Sequence, residues 1–342
     1  MKLGLIAKLV ATAALGLASV APVHAGDAAE NFEASFDSTF GTDTRAPRSF
    51  EAVYDTSFER HVAQLADGSD GRIGVYAVDL ATGREFGVLG DQRFPMASTS
   101  KIAIAATFME GVEQGRWTLS SEFPLMIPEK SAKFSSRIAP VKPGKYLPAS
   151  ELIDLMLTRS NNYATDALLR VVGGPSAVND WVKRAGIAGF RLDRDIATLV
   201  RDDGEHDPAS FIDPRDSATP RAMTQLLTGL YQGRWLSKQS RDVILSTMER
   251  CLTGKRRIPA LLPAGVTVAH KTGSLSNTSS DIGIIQAPDG RAIAVAIYVT
   301  GQGSRLNREA RIASIAEAIY TGWTANGAND GRNWASASYG GR

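Results

Sequence analysis

Three short stretches hold the side chains best suited to chemistry. Ser98-Thr99-Ser100-Lys101 falls where the loop Phe94-Pro95-Met96 enters a strongly helical pattern. A serine at a helix start has unpaired backbone N–H groups beside it, and these stabilise an oxyanion. Lys101, three residues on, projects from the same face, and in a partly desolvated cleft a lysine loses its proton and acts as a base. Read alone, the stretch is equally an N-cap serine followed by an unrelated lysine. Ser160-Asn161-Asn162 lies at a break between two helical segments, where polar groups can face a cleft, although Ser and Asn favour such breaks in any case. Lys271-Thr272-Gly273 ends the strand-like Val266–His270. On an edge strand, Lys271 would attract a carboxylate, Thr272 would hydrogen-bond it, and Gly273 would let a substrate approach the backbone.

The elements around these stretches form three blocks. A helix-like segment near Thr56–Ala66 precedes a hairpin, with Ile73–Val78 and Glu85–Leu89 joined through Thr82-Gly83. From Ser98 to about Arg250 the pattern is helical, with apolar residues at three-and-four spacing in Ala97–Gln114, Ala149–Arg159, Tyr163–Val172, Ser176–Ala185, Pro220–Gln232 and Lys238–Arg250. Strand patterns return at Val266–Ala269, Asp281–Gln286 and Arg291–Thr300, the last two joined by Ala287-Pro288-Asp289-Gly290. A final helix, Glu309–Trp323, carries Ile312, Ile315, Ala316 and Ile319 on one face. The pattern predicts an α+β fold: one antiparallel sheet from both chain ends, flanked by helices, with an all-helical second lobe and a cleft between. The sheet lobe takes residues 56–97 and 266–323, and the helical lobe residues 98–265.

The chain ends read differently. Lys2 and Lys8, the apolar run Leu9–Ala21 and the site-like Val23-His24-Ala25 predict a signal peptide over residues 1–25, too short to span a bilayer. Residues 26–55 read as a loosely ordered lead-in and residues 324–342 as a flexible tail. A periplasmic or secreted protein follows, without stable membrane insertion after cleavage near Ala25. With Lys2 and Lys8 removed, basic and acidic side chains are equal in number, so there is no footprint for nucleic acid. Lys255-Arg256-Arg257 reads as a solvated loop. The single cysteine, Cys251, allows no internal disulfide and reads as a small packed residue. His24, His61, His206 and His270 show neither metal-ligand spacing nor an evident acid partner, so no metal or other cofactor is expected and a Ser-His-Asp triad is the weaker reading.

Taken together and in this order, S-x-x-K, Ser-Asn-Asn and K-T-G are far more specific than any one alone. They resemble the signature set of class A β-lactamases and penicillin-binding proteins across nearly all of residues 56–323. Gly173-Gly174-Pro175, Arg191-Leu192-Asp193-Arg194, Asp213-Pro214-Arg215-Asp216 and Pro220-Arg221-Ala222-Met223 extend the resemblance. It implies a monomeric serine acyl-transferase acting on a β-lactam or a peptidoglycan stem peptide. Ser98 would attack the carbonyl, Lys101 would take its proton, and Ser160 would relay a proton to the leaving nitrogen. Asn162 would bind the substrate's side-chain amide, and Lys271 with Thr272 its carboxylate. The N–H groups of Ser98 and Ser274 would form the oxyanion hole.

The resemblance also exposes departures. Two residues after Arg194, where class A β-lactamases carry the glutamate that activates the hydrolytic water, stands Ile196, which accepts no proton. Val200 replaces an asparagine that helps to hold this water, and Asn161 replaces an aspartate. Ser280 falls near a position where many members carry a carboxylate-binding arginine, which leaves that role unassigned. The loop from Arg194 to Asp216, a pair expected to close it, is long and contains Asp202, Asp203, Glu205 and His206. One of these would supply a substitute base; solvated acids around Gly204 are the plainer reading. Three functions stay open: a β-lactamase slowed at deacylation, a D,D-carboxypeptidase, and a non-catalytic peptidoglycan-binding or penicillin-sensing protein.

Overall fold

A computed structural model describes residues 54–325. The expected leader, nearly all of the lead-in and the tail beyond residue 325 lie outside the described residues. Helix α1 (Ser57–Leu65) opens with a reciprocal cap: the Thr56 hydroxyl accepts the Glu59 N–H, and the Glu59 carboxylate accepts the Thr56 N–H, both at 3.1 Å. Strands β1 (Gly71–Asp79) and β2 (Glu85–Val88) then pair as a hairpin. After the short β3 (Phe94–Pro95), a 3₁₀ turn over Ala97–Ser100 leads into α2 (Lys101–Glu113). Instead of presenting one apolar stripe, α2 is buried all round from Lys101 to Met109, as its run of Ala, Ile, Phe and Met demands.

A hairpin of β4 (Glu122–Pro128) and β5 (Val141–Pro148) interrupts the helical middle. This corrects the expectation of an all-helical lobe. Its strands carry Pro124, Pro143 and Gly144, which argue against a strand by composition, and β5 is largely exposed, so no alternating apolar pattern marks it. Helices α3 (Ala149–Thr158), α4 (Asn162–Val172) and α5 (Pro175–Arg184) follow. The long loop then holds β6 (Phe190–Arg191), a short α6 (Ile196–Arg201) and β7 (Ser217–Ala218). Helices α7 (Pro220–Gln232) and α8 (Lys238–Glu249) complete the middle, and a 3₁₀ turn at Ile258–Leu261 returns the chain to the sheet.

Strands β8 (Thr267–Leu275), β9 (Thr278–Gln286) and β10 (Ala292–Gly301) join the first hairpin in the order β2-β1-β10-β9-β8, antiparallel throughout. Central β10 shows how the sheet separates two cores. Ala294, Ala296 and Tyr298 face the helical core, whereas Val295, Ile297 and Val299 face the core shared with α1 and the terminal α9 (Arg305–Ala325). The two-residue strand period assigns each side chain to its layer. Phe58 of α1 meets Trp323 of α9 at 5.8 Å between ring centroids. None of the described helices is long and apolar enough to cross a membrane. For the site, the decisive feature is that β8 is an outer strand, with the Ser98 turn and the α3–α4 break beside it.

Candidate active site

The turn at Ser98 is fixed by its neighbours. The Thr99 hydroxyl donates to the Met96 carbonyl at 2.7 Å and lies 3.1 Å from the Tyr298 hydroxyl, and the Ser100 hydroxyl donates to the Ala97 carbonyl at 2.9 Å. Two of the three consecutive hydroxyls are therefore structural, while no hydrogen bond engages the third, on Ser98, among the described residues. Ala97 holds a left-handed φ of 48°, a conformation costing a non-glycine residue about 1–3 kcal/mol. Gly273 explains how β8 reaches this turn. A Cβ there would lie 2.4 Å from Ser280 Oγ and 2.8 Å from the Met96 carbonyl. The sequence argument reserved this glycine for substrate approach; its bare Cα also admits the turn that carries Ser98.

The α3–α4 break presents Ser160, itself at φ 56°, to both lysines. Lys101 Nζ donates to the Ser160 carbonyl at 2.8 Å, to Ser160 Oγ at 3.1 Å and to Asn162 Oδ1 at 2.8 Å. Lys271 Nζ donates to Ser160 Oγ at 2.9 Å and to the Thr272 carbonyl at 3.0 Å. With both lone pairs of Oγ engaged, the Ser160 hydroxyl keeps its own proton to donate. Asn161, the replaced aspartate, caps α4 by accepting the Ala164 N–H at 2.9 Å. Both lysines are fully buried. Burial, and then the like charge of Lys271, hold the Lys101 ammonium well below its ordinary range, against a smaller opposing effect of Asp166. Burial brings Lys271 down to about 8. Charged lysine is costly here, so Lys101 is suited to work as an amine.

Beyond Gly273, Ser274 is exposed at the cleft, on a strand whose outer edge leaves alternate N–H groups unpaired. Arg257 was hidden in a cluster that reads as solvated. Lys255 and Arg256 are exposed as expected, but Arg257 is buried under β8. It donates to the Gly273 carbonyl at 2.8 Å, the Ser280 carbonyl at 2.7 Å and Ser274 Oγ at 2.7 Å, with Glu309 as its ion-pair partner at 3.1 Å. An arginine therefore does stand behind β8, the strand expected to bind the carboxylate. Its clue was the need for a cation there, not its sequence neighbours.

His270 also corrects its sequence reading, because it has an acid partner. Its Nδ1 lies 2.9 Å from the Asp281 carboxylate. Burial alone would lower the imidazolium, but Asp281 and the Cys251 thiol raise it to about 10. Cys251 is correspondingly more than packing: Sγ lies 3.3 Å from Thr253 Oγ1, which in turn lies 2.7 Å from Thr272 Oγ1. The network backs the K-T-G strand and supplies no partner to Ser98.

The long loop is closed as expected. Arg194 Nε donates to Asp216 Oδ2 at 2.5 Å, and Asp216 Oδ1 accepts the N–H groups of Asp193 and Arg194 at 2.8 and 2.9 Å. Ile196 is 2% exposed yet belongs to neither apolar core, whereas Val200 is 51% exposed. The three acids that could replace the missing glutamate are committed elsewhere. Asp202 pairs with Arg201 at 2.7 Å and accepts the Phe134 N–H at 3.0 Å, which brings its carboxyl down to about 2. Asp203 accepts the Ser276 N–H at 2.8 Å, and Glu205 pairs with Arg215 at 2.6 Å. Glu205, His206 and Asp213 bring their ligand-type atoms within 4.8 Å of one another, but Arg215 also binds Asp213 at 2.7 Å and neutralises the set. A cavity of about 60 Å³ beneath this loop, lined in part by Asp202, His206, Phe211 and Leu275, includes none of Ser98, Lys101, Ser160 and Lys271.

This arrangement has known counterparts. The model of the β-lactamase enzyme family matches residues 57–323. The chain belongs to that family. β-Lactamase SME-1 of Serratia marcescens is 30% identical over 247 residues, covering 70% of this chain and 80% of that protein. β-Lactamase CTX-M-8 of Citrobacter amalonaticus is 31% identical over 277 residues, covering 78% and 89%. Among solved structures, a variant of the last common ancestor of Gram-negative class A β-lactamases is 34% identical with a TM-score of 0.67, covering 79% of this chain and 99% of that one. The β-lactamase from Chitinophaga pinensis is 25% identical with a TM-score of 0.68, covering 78% and 99%. The chain is thus a class A β-lactamase-like hydrolase with the α+β fold expected of it.

Proposed function

We propose that this β-lactamase-family protein opens β-lactam rings through an acyl-enzyme on Ser98 and releases the product slowly. The observation that carries the reading is the Ser160 hydroxyl held 3.1 Å from Lys101 Nζ and 2.9 Å from Lys271 Nζ, together with a Ser98 hydroxyl that no hydrogen bond engages among the described residues. Lys101 takes the Ser98 proton as Oγ bonds to the lactam carbonyl carbon. When the C–N bond breaks, Ser160 protonates the nitrogen and recovers a proton from Lys101. The N–H groups of Ser98 and Ser274 receive the oxyanion, Asn162 the side-chain amide, and Lys271 with Thr272 the carboxylate. No cofactor enters this sequence. The protein works as a monomer in the periplasm or outside the cell, as the basic and apolar character of residues 1–25 suggests.

Ile196 favours a second reading, a D,D-carboxypeptidase acting on peptidoglycan stem peptides, in which β-lactams are trapped as lasting adducts. Mixing a known enzyme concentration with excess chromogenic cephalosporin, with intact mass recorded in parallel, separates the readings. Slow sustained turnover supports hydrolysis. A burst of one equivalent with a permanent Ser98 adduct supports the peptidase, and binding without burst or adduct leaves only a non-catalytic sensor.

A further inference from the structure

Hydrolysis of the acyl-enzyme requires a base for water, and the loop's candidates are engaged elsewhere: Ile196 is inert, Asp202, Asp203 and Glu205 are bound to Arg201, the Ser276 N–H and Arg215, and His206 lies against Phe211 and Glu205. The floor of the cleft does offer one. Lys101 returns to the amine form once its proton has passed through Ser160 to the lactam nitrogen. It is then in the same uncharged form in which it accepts the Ser98 proton in the acylation step proposed above. What such an amine needs is stabilisation of the ammonium it becomes, because burial and the like charge of Lys271 on β8 both oppose it.

Asp166 supplies that stabilisation. It lies one turn after Asn162 on α4, so the two side chains share a face at about 5–6 Å between Cβ atoms. Asn162 Oδ1 is 2.8 Å from Lys101 Nζ. Asp166 is 6% exposed and takes part in none of the ion pairs among the described residues. Its two oxygens accept the Ile196 and Ala197 N–H groups at 2.7 and 2.8 Å. Two N–H donors select a carboxylate over an amide, which would turn its own NH₂ toward one of them. The charged groups acting on the pair are Lys271 on Lys101, and Asp195, the cap of α6, on Asp166. Lys271 in turn feels Cys251, Asp281 and Arg257. Burial raises the Asp166 carboxyl to about 7, while its carboxylate acts on Lys101 in the direction that favours the ammonium.

We propose that Asp166 is the counter-charge of Lys101, and that Lys101, so supported, is the proton acceptor of both half-reactions in place of the carboxylate missing at Ile196. The inference rests on the acyl-enzyme reading above. In deacylation a water proton moves to Lys101 Nζ as the water oxygen bonds to the ester carbon. The C–Oγ bond then breaks, and the proton passes from Lys101 to Ser98 Oγ, which restores the starting state without a co-reactant. Asp166 touches no reacting atom and is a positioning residue.

The test measures acylation and deacylation separately, by adduct formation and adduct decay in intact-mass experiments from pH 5 to 9, for the unmodified protein, Asp166→Asn and Ile196→Glu. Without the carboxylate, Lys101 stays an amine to lower pH and is a weaker base. In Asp166→Asn the acidic limb of both rates therefore moves to lower pH, and both plateaus fall by a similar factor of roughly 10–50. Ile196→Glu adds a carboxylate and moves the acidic limb of acylation to higher pH, an opposite sign that remains readable if Asp166→Asn folds poorly. Unmoved limbs in the folded variants, or loss of deacylation alone in Asp166→Asn, overturn the inference while leaving the acyl-enzyme reading intact. Absence of any Ser98 adduct in the unmodified protein overturns both.

Discussion

Replacing Ser160 by alanine tests the arrangement most directly, because one oxygen serves two lysines. In Ser160→Ala, Lys101 keeps the Ser160 carbonyl and Asn162 as acceptors, whereas Lys271 keeps only the Thr272 carbonyl. Leaving a buried amine donor unpaired costs about 1–3 kcal/mol, which a urea titration should detect as a lower midpoint. The catalytic loss is larger and falls on one step. Only acylation expels a nitrogen that needs a proton, so acylation should fall by about 10²–10⁴, the usual worth of a positioned acid. Deacylation expels Ser98 Oγ, whose proton comes from Lys101, and adduct decay should stay within about threefold. Both rates are read from intact mass, with acylation followed after mixing and decay after removal of free β-lactam. Acylation within threefold of the unmodified rate would refute the relay, and an equal loss in both steps would assign Ser160 a structural role.

Two further outcomes concern the frame. Asp216→Ala removes a buried partner of Arg194 and the acceptor of two backbone N–H groups, and should cost about 3–5 kcal/mol in equilibrium unfolding. A loss below about 1 kcal/mol would mean that the loop does not depend on this closure. The imidazolium of His270, raised to about 10, contributes stability that is fully present below the unfolded value of about 6.5 and is lost as pH climbs toward 10. The urea midpoint should therefore decline from pH 7 to 10, and the decline should flatten in His270→Asn. The same slope in both proteins would remove His270 as its source.

Most of the frame was readable because burial left a period in the sequence. The helix Pro220–Gln232 has the bounds its pattern predicts, and both ends of the chain do supply the sheet. The hairpin of β4 and β5 was not readable, since its prolines and exposed side chains erase the two-residue alternation. The signature stretches fixed their own neighbourhood, and Ser160 meets both Lys101 and Lys271 as their types required. Arg257, His270 and Asp166 escaped for a common reason. Each acts through a partner distant in sequence: Ser274 for Arg257, Asp281 for His270, and the Ile196 and Ala197 amides for Asp166. Residue type at one position says nothing of such a partner until the fold supplies it.

The loop's design bears on where a base can reside. Arg194 and Asp216 close it, Asp202 and Asp203 pin its middle, and Asp166 holds the start of α6. Each bond that fixes an acid also spends the lone pairs and the free charge that a general base needs, and a carboxyl brought down to about 2, as at Asp202, is too weak a base at neutral pH. Rigidity and basicity therefore compete for the same side chains. With Ile196 at the start of α6, the competition is decided in favour of rigidity for Asp202, Asp203 and Glu205. Buried, amine-like Lys101, whose proton is already needed for acylation, is the group that this competition leaves free. On the inference above, its effectiveness depends on Asp166, whose two bonds hold the start of α6 while its charge still acts on Lys101.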